Sequence, residues 1–98
     1  DLVYAHNDPM AMGAYLAAKN FGRADDILFV GVDGLPGPDG GAKMVMDGIL
    51  EATFYYPNCG KEAVQTAAKI LRGEEVPRTI TLETPVITKE NAEQFYQQ

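Results

Sequence analysis

The sequence contains no serine, a single cysteine and few basic residues, and each shortage removes a class of function. Without serine there can be no Ser nucleophile, and Cys59 with the lone His6 forms no recognisable nucleophile pair. One cysteine also excludes an internal disulfide framework and a cysteine-based zinc site. Eight Lys and Arg against 14 Asp and Glu leave a formal net charge of -6. That is the wrong sign for neutralising nucleic-acid phosphates or an anionic bilayer, so no nucleic-acid partner is expected for this segment. No run approaches the roughly 20 apolar residues that a membrane-spanning helix needs. Phosphate and dinucleotide motifs are missing too. Gly37 to Lys43 has the wrong spacing for a P-loop, Met44 stands where Ser or Thr is required, and no Gly-x-Gly-x-x-Gly turn occurs. The same loop has too few oxygen side chains for an EF-hand. No metal site, cofactor or catalytic residue is therefore assigned.

What is present describes a folded chain. The 98 residues are 46% hydrophobic and 22% charged, which suits one globular domain or part of a larger one. Asp1 opens directly onto an apolar strand without Met or a leader segment, so the chain is expected to be a fragment. Leu2 to Ala5 predicts a buried strand, and the stripe Met10, Ala14, Ala17, Ala18 and Phe21 predicts a helix ended by Gly22. Ile27 to Val32 is continuously apolar, as in a parallel strand covered on both faces. A loop crowded with Gly34, Gly37, Gly40 and Gly41 follows it. Next come a helix with Ala42, Val45, Met46 and Ile49 inward and a strand from Ala52 to Tyr56. A helix with Ala63, Ala67, Ile70 and Leu71 inward, ended by Gly73, comes after them. Thr79 to Leu82 predicts a short or edge strand, and Thr88 a cap for a last helix through Tyr96. Alternation of this kind predicts an α/β fold: a three-layer αβα arrangement around a mostly parallel sheet, incomplete in this chain.

Parallel strands point their carboxyl ends one way, so Asn7, Asp33 and Tyr56 fall on one rim, where open α/β sheets bind ligands. An ionised Asp, an amide and a phenol on an apolar plate together suit a polyhydroxylated ligand such as a sugar. Plainer roles stand beside this. Asn7 or Asp8 can cap the helix at Pro9; Asp8 is taken as the cap, which frees Asn7. Asp33-Gly34 can be a simple turn, and one of Tyr55 and Tyr56 should be ordinary packing because the two alternate across the sheet. His6 is expected to be structural or exposed, and Cys59 buried or half-buried without redox work.

Three segments in order, Tyr4-Ala5-His6-Asn7-Asp8-Pro9-Met10-Ala11-Met12-Gly13-Ala14, Val30-Gly31-Val32-Asp33-Gly34 and Asp47-Gly48-Ile49-Leu50-Glu51-Ala52-Thr53, resemble the C-terminal part of type I periplasmic sugar-binding proteins of the ribose-binding kind. Ala67 to Pro77 resembles the family's closing helix and loop, so the resemblance runs nearly the whole length. It implies sugar contacts at Asn7 and Asp33, and a third at Tyr56, where the family commonly has Gln; that replacement and the short loop Pro57 to Gly60 leave Tyr55 as the alternative. It also implies a two-lobe fold with the ligand trapped between lobes. Residues up to about 56 would belong to the C-terminal lobe, about 57 to 86 would return to the N-terminal lobe, and 87 to 98 would form a C-terminal tail. The implied partners are a monosaccharide, the permease subunits of an ABC transporter and the missing N-terminal part of the same protein. The implied location is periplasmic or extracytoplasmic, and the implied role non-enzymatic. The same resemblance extends to the effector domain of LacI-type regulators and to sugar-sensing domains of signalling receptors.

Overall fold

The computed structural model describes residues 1–98. Four strands form one sheet in the order β1-β2-β3-β4: β1 (Leu2–Tyr4), β2 (Leu28–Asp33), β3 (Ala52–Tyr55) and β4 (Val86–Ile87). The first three run parallel, with Tyr4 opposite Val30 and Val30 opposite Ala52, and β4 lies antiparallel to β3. Helices α1 (Asp8–Asn20) and α2 (Gly41–Met46) follow β1 and β2, α3 (Gly60–Leu71) follows β3, and α4 (Ala92–Tyr96) follows β4. The fold class read from the sequence is thus present, with the α/β alternation and the mostly parallel sheet.

The register decides which face of the sheet is covered. Val3 pairs with Phe29, and Gly31, Thr53 and Ile87 lie side by side, so these residues share one face. Onto it pack α1, with Tyr15 edge-on to Phe29 at 5.7 Å, and α4, with Phe95 against Tyr55 at 5.7 Å. Val45 and Met44 of α2 join Phe29, Leu50, Ile87 and Ala92 in the same core. Leu2, Tyr4, Leu28, Phe54 and Val86 point to the opposite face and are exposed. Of the three layers expected, this chain supplies two. The continuous apolar run of β2 predicts cover on both faces; here it is covered on one.

Helix phase corrects the expected α1 stripe. Asp8 points inward at the first turn, which brings Ala11, Tyr15 and Ala18 onto the core side. Ala14 and Ala18 pack there as anticipated, whereas Met10, Ala17 and Phe21 are left exposed. In α2 the expected Ala42, Val45, Met46 and Ile49 all meet the core, Ile49 from beyond the helix end, because Gly48 turns the chain at φ 76°. Within the C-terminal tail, residues 87–98, Ile87 and Ala92 are completely buried in the core.

Between Tyr56 and Pro85 the chain leaves the sheet. No residue of α3 is buried, and Val64, Ile70 and Leu71 are exposed, so the inward face expected for this helix has nothing to face except residues 76–82. Those residues form no strand. The reading of Thr79 to Leu82 as one fails because no other strand lies alongside to take its backbone hydrogen bonds. Ile80 and Leu82 instead line an apolar groove of about 760 Å³ against Ala63, Ala67 and Ile70 of α3. The projecting arm makes the molecule 60 × 23 × 18 Å, with a radius of gyration of 17.0 Å. A compact chain of this length would have about 13 Å.

Candidate functional site

The carboxyl ends of β1, β2 and β3 meet at one end of the sheet, and the chain segments leaving them carry Asn7, Asp33 and Tyr56. Asn7 has extended backbone (φ -153°, ψ 169°), and its Oδ1 accepts the Met10 N–H at 2.9 Å. It is therefore the N-cap of α1, and the assignment of that role to Asp8 is corrected. An acceptor is needed where the first-turn N–H groups point, and only the residue before the first helical position can reach back to them. With Oδ1 engaged, the Nδ2 amino group of Asn7 remains to donate to a ligand.

Asp8 sits one position further, beside Pro9 in the first turn, and is the buried charged residue of the chain at 2% exposure. Its Oδ2 accepts the Gly34 N–H at 2.8 Å, and its Oδ1 accepts the Thr53 hydroxyl at 2.6 Å. Two glycines make room for it. A Cβ on Gly31 would lie 2.3 Å from Oδ1, and one on Gly41 would lie 1.8 Å from Oδ2. Burial pushes the Asp8 carboxyl above the ordinary carboxylate value; the Thr53 and Gly34 hydrogen bonds oppose that rise, and the Asp33 charge adds to it. Sequence reasoning gives Asp8 and Thr53 no more than a local role. The available signals are the aliphatic hydroxyl of Thr53 inside strand 52–55 and the glycines at 31 and 41.

Asp33 ends β2 with φ 119°, a conformation L-residues rarely adopt, and Gly34 follows at φ 62°. The peptide between them is held at both ends: the Asp33 carbonyl accepts the Tyr56 N–H at 3.0 Å, while the Gly34 N–H goes to Asp8. Asp33 is half-buried at the rim. Of the two tyrosines, Tyr55 packs on Phe95 and the core, and Tyr56 stands 64% exposed. The alternation along β3 thus leaves Tyr56 as the tyrosine with a free ring. The other residues weighed for this end of the chain have plain roles. His6 is exposed and lies against Tyr4 at 5.9 Å. Cys59 is exposed rather than buried, because it occupies the left-handed turn (φ 62°) that opens α3 on the projecting arm. The apolar groove on that arm contains none of Asn7, Asp33 and Tyr56.

No protein-family model matches the chain. It is 38% identical over 90 residues to the ribose import binding protein RbsB of Escherichia coli (strain K12), matching 90% of this chain and 29% of that protein. A putative rhizopine-binding protein of Rhizobium meliloti is 33% identical over 97 residues, 97% of this chain and 31% of the relative. Among solved structures, the fructose-binding periplasmic domain of a hybrid two-component system superposes with a TM-score of 0.92 at 43% identity, over 99% of this chain and 32% of that one. An ABC transporter solute-binding protein from Bacillus halodurans C-125 with bound myo-inositol gives a TM-score of 0.86 at 30% identity, over 99% and 33%. The chain thus spans about a third of the length of the proteins it matches. In sequence and in fold it is a homologue of the type I periplasmic sugar-binding proteins of the ribose-binding kind over that third.

Proposed function

We propose that this chain is the C-terminal portion of a solute-binding protein that takes up a monosaccharide in a cleft between two lobes and delivers it to an ABC-type permease outside the cytoplasm. The observation that carries this reading is the convergence of Asn7, Asp33 and Tyr56 on one rim, at the carboxyl ends of three adjacent parallel strands. There the Asn7 amide donates to a sugar hydroxyl, the Asp33 carboxylate accepts from two neighbouring hydroxyls, and the Tyr56 ring offers an apolar plate to a C–H face. That the similar proteins named above are binding proteins supports a role in binding without turnover.

Residues up to about 56, with β4 and α4, would form part of one lobe, and the arm from 57 to about 86 part of the other. The bare sheet face and the exposed apolar side of α3 support this division, because each is a surface that the remaining two-thirds of such a protein would cover. The missing N-terminal part of the same protein is accordingly the first partner, and the permease the second.

Titration calorimetry of the full-length gene product against D-ribose, D-fructose and myo-inositol tests the reading. Binding of one of them near micromolar Kd, about -8 kcal/mol, is expected, with a loss on Asp33→Ala and on Tyr56→Ala and none on Tyr55→Phe. Turnover of a bound sugar, or undiminished binding by Asp33→Ala, would overturn it. Binding without sugar uptake in a strain whose permease is intact would assign the cleft to sensing instead, as in the two-component relative.

A further inference from the structure

Asn7, Asp33 and Tyr56 are connected through one residue that does not reach the rim itself. Asp8 directly follows Asn7, so the backbone that places the Asn7 amide also places the Asp8 carboxylate. Asp8 Oδ2 takes the Gly34 N–H, and the carbonyl of that same peptide unit takes the Tyr56 N–H. The Asp33–Gly34 peptide is thereby fixed at both ends, one by a buried side chain of α1 and the other by the backbone just beyond β3. A clamp of this kind is needed where the backbone is least comfortable, and Asp33 at φ 119° is such a place. Thr53 anchors the clamp by donating to Asp8 Oδ1 from the middle of β3, and the missing side chains of Gly31 and Gly41 make the room that the carboxylate occupies.

We propose that Asp8 is a positioning residue for sugar recognition: its buried carboxylate locks the Asp33–Gly34 peptide and so fixes the direction in which Asp33 addresses the ligand. This rests on the reading that Asp33 contacts the sugar. Asp8 touches no ligand, so its effect on affinity passes through Asp33 and vanishes when Asp33 has lost its carboxylate. A residue that merely supports the fold would weaken binding whether or not Asp33 is present.

The test is a double-mutant cycle in the full-length gene product, using calorimetry with D-ribose, D-fructose or myo-inositol, paired with hydrogen exchange at the Gly34 and Tyr56 amides. Asp8→Ala should weaken binding about tenfold, and Asp8→Ala combined with Asp33→Ala should bind within about twofold of Asp33→Ala alone. Losses that multiply would overturn the proposal. Asp8→Asn keeps the shape and offers Gly34 a weaker, neutral acceptor. It should give an intermediate loss and faster exchange at Gly34, and it carries the test if Asp8→Ala does not fold. Wild-type exchange at Gly34 in Asp8→Asn, together with wild-type affinity, would also overturn it. If Asp33→Ala leaves affinity unchanged, the reading of the site fails; Gly34 exchange then still decides whether the clamp exists.

Discussion

Thr53 Oγ1 and Asp8 Oδ1 lie 2.6 Å apart across 45 positions of sequence, a hydrogen bond between two buried side chains that ties the first turn of α1 to the central strand β3. Both groups are out of contact with water, so neither can replace the other by solvation. Thr53→Val conserves the shape but leaves one Asp8 oxygen without its donor. A loss of about 1–3 kcal/mol in urea unfolding is expected, and an unchanged midpoint would show that the hydroxyl is dispensable.

Glycines in similar settings separate by what lies beside them. Gly41→Ala would push a methyl into Asp8 Oδ2, and moving the carboxylate would break its hydrogen bonds with Gly34 and Thr53, so destabilisation of about 1–3 kcal/mol follows. A methyl at Gly13, on the exposed side of α1, would meet nothing within 4 Å. Gly13→Ala should therefore stabilise by about 0.5–1 kcal/mol through backbone entropy alone. Chemical denaturation of the two variants side by side checks the opposite signs.

The position of Asp8 has a pH signature. Its folded-state value is raised, chiefly by burial, so the folded protein holds that proton more tightly than the unfolded chain does. The stability this contributes is fully present below the unfolded value of about 3.9 and is lost as pH rises through the folded value. Asp8→Asn does not titrate. The stability of the wild type minus that of Asp8→Asn should decline as pH rises through that window and then level off. A difference that grows with pH would reverse the assignment of burial as the dominant cause.

Backbone strain at Asp33 predicts a split between stability and binding. Glycine accepts φ 119° without cost, whereas alanine does not. Asp33→Gly should be more stable than Asp33→Ala by about 1–2 kcal/mol, while both lose sugar affinity alike. Equal melting of the two variants would indicate that the strain is absent in solution.

Much of the fold is legible because strand runs and helix stripes are local. The β1, β2 and β3 segments, the α1 to α3 helices and the left-handed turns at Gly22 and Gly73 all lie within a residue or a few of their sequence signals. Two failures have a common cause. Whether Thr79 to Leu82 becomes a strand depends on a neighbour far along the chain or outside it, and no local pattern encodes that. The exchange of roles between Asn7 and Asp8 is subtler, since either side chain is chemically able to cap α1. What decides it is Thr53 and Gly34, distant residues that offer Asp8 two hydrogen bonds in a pocket emptied by Gly31 and Gly41. For the rim, strand direction is enough to align Asn7, Asp33 and Tyr56, but the separate tasks of Tyr55 and Tyr56 depend on Phe95, far downstream of Tyr55.

The two passages of chain that join the arm to the sheet run side by side: the Tyr55 N–H donates to the Pro85 carbonyl at 2.9 Å, just where the outgoing and returning segments cross the rim. A pair of adjacent backbones resists stretching but twists readily, so the arm is mounted as on a strap. Twist in that strap would be absorbed beyond β3 and β4, while α1, β1 and β2 keep their mutual arrangement. Asn7 follows β1 and Asp33 ends β2, on the strands away from that crossing, whereas Tyr56 stands at the root of the strap and is tied back to β2 by its N–H on the Asp33 carbonyl.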